Sequence, residues 1–176
     1  MRFDILSRSI APLGLLVALA PGRAAAQQAA RPDCSAATYR QFDFWVGDWD
    51  VTNPAGKQVG SSHVSRILKD CVIHEEWTDA SGNRGESFNI WSRADRRWHQ
   101  SWVSDAGTYL VLTGDLKDGA MVLEGETNQG AATVLNRITW SIIDNDRNRV
   151  RQHWTTSKDG GATWTTAFDG TYARRR

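Results

Sequence analysis

Turn chemistry recurs about every dozen residues along this chain, a spacing that leaves room for strands and tight turns but for no long helix. The turns are Asn53-Pro54-Ala55-Gly56, Lys69-Asp70, Asp79 to Asn83, Arg93 to Arg96 and Asp105-Ala106-Gly107. They continue with Lys117-Asp118-Gly119, the looser Thr127 to Ala131, Asp144-Asn145-Asp146 and Lys158-Asp159-Gly160-Gly161. Between them lie ten expected strands, the first in Phe42 to Val51 and the last in Thr163 to Ala173. A meander of this kind closes on itself, because closure removes the exposed edges. The expected fold is therefore all-β: an up-and-down antiparallel barrel of about ten strands.

The stretch Gln41-Phe42-Asp43-Phe44-Trp45-Val46-Gly47-Asp48-Trp49-Asp50-Val51 opens the folded part. Its start is apolar on both faces and so must be covered on both sides. Its glycine marks a bend or a close backbone approach. It reads as a first strand plugged at one end by its own aromatics, after a short helical turn over Ala36 to Gln41. Gly47-Asp48-Trp49 matches the Gly-x-Trp signature of lipocalin-type barrels. The wider string FDFWVGDWDV resembles a family of small secreted bacterial proteins with a lipocalin-like, calycin-type β-barrel. Gly85-Glu86-Ser87, Trp98 to Val103, Arg137 to Trp140 and Phe168 to Arg174 extend the resemblance along the chain. The family pattern places Asp directly after the Trp-Val of the fifth segment, whereas here Ser104 precedes Asp105. The resemblance implies a fold and a compartment, not a reaction.

Residues 1–26 read as a signal peptide. Arg2 and Arg8 form a basic start, Ile10 to Ala20 is an apolar run too short to span a bilayer, and Ala24-Ala25-Ala26 is a small-residue cleavage site. Residues 27–41 form a polar, Ala-rich arm, and residues 42–176 the barrel domain. The expected location is periplasmic or secreted, with no membrane span in the mature chain. Cleavage after Ala26 removes three arginines and one aspartate, leaving 18 basic and 19 acidic residues and a net charge of −1. A near-neutral chain carries no electrostatic footprint for nucleic acid. Cys34 and Cys71 are an even pair in an oxidising compartment, which is most simply a disulfide.

Residues two apart in a strand share a face. In the third strand Ile73, Glu75 and Trp77 oppose Val72, His74 and Glu76. In the fifth, Trp98, Gln100 and Trp102 oppose His99, Ser101 and Val103. The eighth sets Asn136, Ile138, Trp140 and Ile142 against Arg137, Thr139 and Ser141, and the ninth sets Val150, Gln152 and Trp154 against Arg151, His153 and Thr155. If the Trp faces point inward, the interior is aromatic with a few placed polar groups, the usual make-up of a small-molecule site. The expected ligand-binding residues are Glu75, Trp77, Trp98, Gln100, Trp102, Asn136, Trp140, Gln152 and Trp154. Tyr109 or Tyr172 could join them.

Glu75 is the one candidate catalytic residue, since burial among aromatics raises a carboxyl pKa and suits it to acid or base work. The plainer expectation for it is an ion pair with a strand arginine such as Arg84 or Arg137. The whole pattern also fits a barrel packed solid, with buried amides paired among themselves or to indole N–H groups. His74, His99 and His153 have the outward parity, and no His or Cys spacing suits a metal. No metal or cofactor is expected. His153, the last histidine, has the wrong parity for the inward ligand that haem-binding barrels place there.

Ser157 to Trp164 fits Ser-x-Asp-x-Gly-x-Thr-Trp, the Asp-box turn of sialidase-type propellers. A propeller needs at least about four blades, which the 150 residues after position 26 do not hold. The motif is read as a structural hairpin. Three functions follow: a binder of a small hydrophobic or aromatic molecule, an enzyme of cyclase or isomerase type using Glu75, and a filled-core structural domain.

Overall fold

Ten strands follow one another: β1 (Gly47–Thr52), β2 (Gln58–Ile67), β3 (Val72–Asp79), β4 (Arg84–Ser92), β5 (Arg97–Ser104), β6 (Tyr109–Lys117), β7 (Ala120–Gln129), β8 (Ala132–Ile143), β9 (Asp146–Ser157) and β10 (Thr165–Arg174). The computed structural model describes residues 34–176; the expected signal peptide and residues 27–33 of the arm lie outside the described residues. Each strand pairs antiparallel with its neighbours in the chain, and β1 pairs with β10, so the sheet is a closed up-and-down barrel. Among the described residues, no helix is long and apolar enough to cross a membrane.

The turns follow from their residues. Asp144 and Asn145 both take positive φ, 52° and 57°, as a two-residue hairpin turn demands, and Asn and Asp tolerate that region best after glycine. Thr127 to Ala131, expected as a loose loop, is mostly strand, and β7 runs on to Gln129. The β9–β10 hairpin is held by the Asp-box motif. Asp159 accepts the Thr163 N–H (2.9 Å) and the Ser157 and Thr163 hydroxyls, and the Trp164 indole donates to Gly161 O. These charge-assisted bonds pull the Asp159 carboxyl down to about 2. Arg137 lies 4.2 Å over the Trp164 ring and shields the turn.

The first strand differs from the expectation. It starts at Gly47, and the aromatics before it form a short 3-10 turn, Asp43–Trp45, after an earlier one at Ala37–Arg40. A 3-10 turn brings residues three apart onto one face. Phe42 and Trp45 therefore stack, with centroids 5.1 Å apart and planes at 20°, and enter the barrel together. Phe42 meets Trp98 and Trp140 edge-on at 5.7 and 5.2 Å. With Trp49, Met121, Leu123 and Val150, these residues fill one end of the barrel, all of them buried. Each large side chain taken from water contributes about 1.5–3 kcal/mol. The indole N–H of Trp49 donates to Trp45 O at 2.8 Å and that of Trp98 to Gln41 Oε1 at 2.9 Å, so part of the polar demand of the plug is met within it.

The plug belongs to an arm that is tied down. Cys34 is bonded to Cys71, with Cα atoms 5.1 Å apart, which joins the arm to the turn before β3. Tyr39 packs edge-on against Trp91. Arg40 and Arg66 both reach Asp43, whose carboxyl is nevertheless pushed up because burial outweighs them.

Candidate functional site

The filled end carries the β2–β3, β4–β5, β6–β7 and β8–β9 turns. The opposite end carries the other turns and, among the described residues, has no plug. Alternation along each strand sends every second side chain inward, and near this end the inward side chains leave a cavity of about 320 Å3. Glu75, Gln100, Leu110, Ile138 and Tyr172 form its buried floor. Trp77, Trp102, Trp154 and Phe168 form a half-buried aromatic wall, with Asp79 at the mouth.

At the floor, Glu75 stands between two serines. Ser62 from β2 donates to Oε1 and Ser87 from β4 donates to Oε2, each at 3.0 Å. Ser87 sits directly opposite Glu75 in the β3–β4 register. Behind them Asn89 donates to Ser87 Oγ at 3.0 Å, and Gln100 donates to Asn89 Oδ1 at 2.8 Å. On the other side the Tyr172 hydroxyl donates to Gln152 Oε1 and also lies within reach of Glu75.

This arrangement sets the charge of the site. Burial raises the Glu75 carboxyl to about 7, although the hydroxyls of Ser62, Ser87 and Tyr172 each pull it down. Tyr172 is pushed well above its ordinary value by burial first and by the neighbouring carboxylate second, and it stays a phenol. The expected ion pair of Glu75 with Arg84 or Arg137 does not form. Arg137 pairs instead with Glu124 on the outer surface at 2.6 Å, and Arg84 is exposed at the rim. Parity explains this, since both arginines lie outside the barrel wall. A carboxyl that loses hydration without gaining a cation keeps its proton to higher pH.

The structure divides the nine expected ligand-binding residues by depth. Glu75, Trp77, Gln100, Trp102, Gln152 and Trp154 meet around the cavity. Trp98 and Trp140 are inward but belong to the plug. Asn136 is buried behind the wall, where its Oδ1 accepts the Trp154 indole N–H at 3.0 Å and fixes that ring. Of the two tyrosines considered, Tyr172 lines the cavity and Tyr109 is 65% exposed on the outside. The histidines pair with groups on the outer surface: His74 with Glu86, His99 with Asp95 and His153 with Thr166.

Sequence reasoning passed over Ser62, Ser87, Asn89 and Phe168. The first three were legible as the inward neighbours of Glu75 once the strand register was drawn. Phe168 was legible too, since it shares the parity of Tyr172 and the register between them is unbroken; the irregularity of β10 lies before it, between Thr166 and Phe168. A further signal lay in the strand glycines. A Cβ at Gly60 would come within 2.5 Å of the Trp77 ring, one at Gly85 would overlap Trp102, and one at Gly170 would come within 2.6 Å of Phe168. Each glycine makes room for one ring of the wall. No protein-family model and no curated protein matches the sequence.

Proposed function

We propose that this protein is a periplasmic or secreted, lipocalin-like binding protein that holds a small, largely apolar or aromatic molecule in the open half of its barrel. The observation that carries the reading is the cavity of about 320 Å3, walled by three indoles and a phenyl ring over a floor of hydrogen-bonding groups. Small-molecule sites are of this kind, roughly 300–1,000 Å3 and mostly apolar with a few convergent polar groups. The disulfide, the signal-peptide pattern of residues 1–26 and the resemblance of FDFWVGDWDV to secreted barrels support the compartment.

A native mass spectrum of the gently purified exported protein, set beside its denatured mass, tests the reading. The expected result is a reproducible excess mass that is lost on denaturation. A protein that never carries an excess, and takes up no member of a panel of small aromatic compounds, would overturn it.

One observation favours a second reading, a small barrel enzyme of cyclase or isomerase type with Glu75 as acid or base. The group titrates near 7 on the cavity floor, where general acid–base catalysis is most effective. Under that reading the captured molecule is converted to an isomer of the same mass. Chromatography of the released ligand distinguishes the two, and Glu75→Gln abolishes conversion.

A further inference from the structure

Among the described residues, the side chains lining the cavity include two carboxyls, Glu75 and Asp79, and no lysine, arginine or histidine. The histidines and most arginines of neighbouring strands point outward and are paired there. The wall between the two carboxyls is made of Trp77, Trp102, Trp154 and Phe168, with Trp77 set edge-on to Phe168 at 5.9 Å. Aromatic rings carry negative charge on their faces and attract a cation that has left water, most strongly when the cation is poorly hydrated. An anionic ligand would meet two carboxyls and the rings with nothing to offset the repulsion, whereas a cationic one would meet an acid at the floor and another at the mouth.

We propose that the ligand of this cavity is an organic cation, a quaternary or tertiary ammonium on an aromatic or apolar body, with its charged end against Glu75 and the surrounding rings. The inference rests on the reading of the cavity as a ligand site and adds the sign of the ligand's charge. It has a pH signature. The groups facing Glu75 are Ser62 from β2, Ser87 from β4, Gln100 from β5, Gln152 from β9 and Tyr172 from β10, and of these only Tyr172 titrates, far above neutrality. Asp79 at the mouth is held below its ordinary value by Asn83 and stays charged throughout the neutral range. Among the described residues, Glu75 is thus the one cavity-lining group that changes charge between pH 5 and 8. A bound ammonium favours its ionised form, so cation affinity falls about tenfold per pH unit below about 7.

The test uses benzyltrimethylammonium and its uncharged carbon isostere neopentylbenzene, which share one shape. Binding of the cation is measured by titration calorimetry from pH 5.5 to 8, and that of the isostere by competition. Phenylacetate serves as the anion of similar size. The expected result is saturable cation binding that weakens at least tenfold from pH 8 to 5.5, isostere binding that does not weaken as the pH falls, and no binding of phenylacetate. Glu75→Gln should remove the pH dependence of the cation. The pH profile of the unaltered protein decides the matter even if that variant folds poorly. A cation that binds more weakly than its isostere at pH 8, or phenylacetate that binds as well as the cation, overturns the proposal while the ligand site stands. Failure of every probe, together with no excess mass in the native spectrum, overturns both.

Discussion

Glu75 is inside the barrel with no cationic partner among the described residues, and this has a thermodynamic consequence apart from any ligand. Its pKa is about 7 in the folded chain against an ordinary value of 4.5. Between those values the folded state holds a proton that the unfolded state has released, so stability falls as pH rises. The contribution is fully present below pH 4.5, is lost as pH climbs through about 7, and is constant above that. A shift of this size corresponds to about 3 kcal/mol. Urea unfolding at intervals from pH 4.5 to 8 should therefore show a downward slope that Glu75→Gln flattens, since the amide keeps a neutral group between Ser62 and Ser87. Equal slopes in the two proteins would mean that Glu75 is already ionised in the native state. The inward direction of Glu75 was legible in the alternation of β3. Its isolation was not, because alternation shows which side of the wall a residue faces and does not show which charges face it across the barrel.

At the scale of the element, the aromatic wall depends on space left by neighbouring strands. Gly85 in β4 pairs with Ser104 of β5, and the Trp102 ring lies over it. Gly85→Ala should push that ring aside, with a stability loss of about 1–3 kcal/mol, the usual range for overpacking. Thermal unfolding and ligand affinity should both drop, and if neither moves, Trp102 does not rest on the glycine. This relation was visible in the sequence only as glycines inside strands, a signal of close approach without a partner named. The opening aromatics were misread for a related reason. Phe42 to Trp45 is too short and too apolar for periodicity to separate a strand from a turn. The decisive fact is tertiary: the 3-10 turn delivers Phe42 and Trp45 together onto Trp98 and Trp140. Depth was illegible for the same reason. Trp98 and Trp102 share one face of β5, yet the first is sealed in the plug and the second faces the cavity.

The barrel as a whole is thus divided along its axis, the plug and the disulfide at one end and the candidate site at the other. The disulfide belongs to the plugged end. It closes a loop of sequence separation 37 that contains the last part of the arm, Phe42 and Trp45 of the plug, β1 and β2. In the chain-entropy account, a loop of that length restricts the unfolded chain enough to stabilise the fold by about 3–4 kcal/mol. Replacing both cysteines by serine should lower unfolding stability by that amount. The change should be felt first where the arm is anchored, at the Tyr39–Trp91 contact and at the bond from the Trp98 indole to Gln41. Hydrogen exchange should accordingly quicken at the Trp98 indole N–H and in the arm, while the backbone amides around Glu75 and Trp154 keep their protection. Provided the protein is still folded at the temperature of measurement, affinity for whatever the cavity holds should stay within about twofold, because native contacts at the open end do not change and only the unfolded ensemble gains freedom. A double-serine variant that stays folded yet loses binding outright would show that the two ends are coupled, and the division of the barrel into a structural half and a binding half would have to be given up.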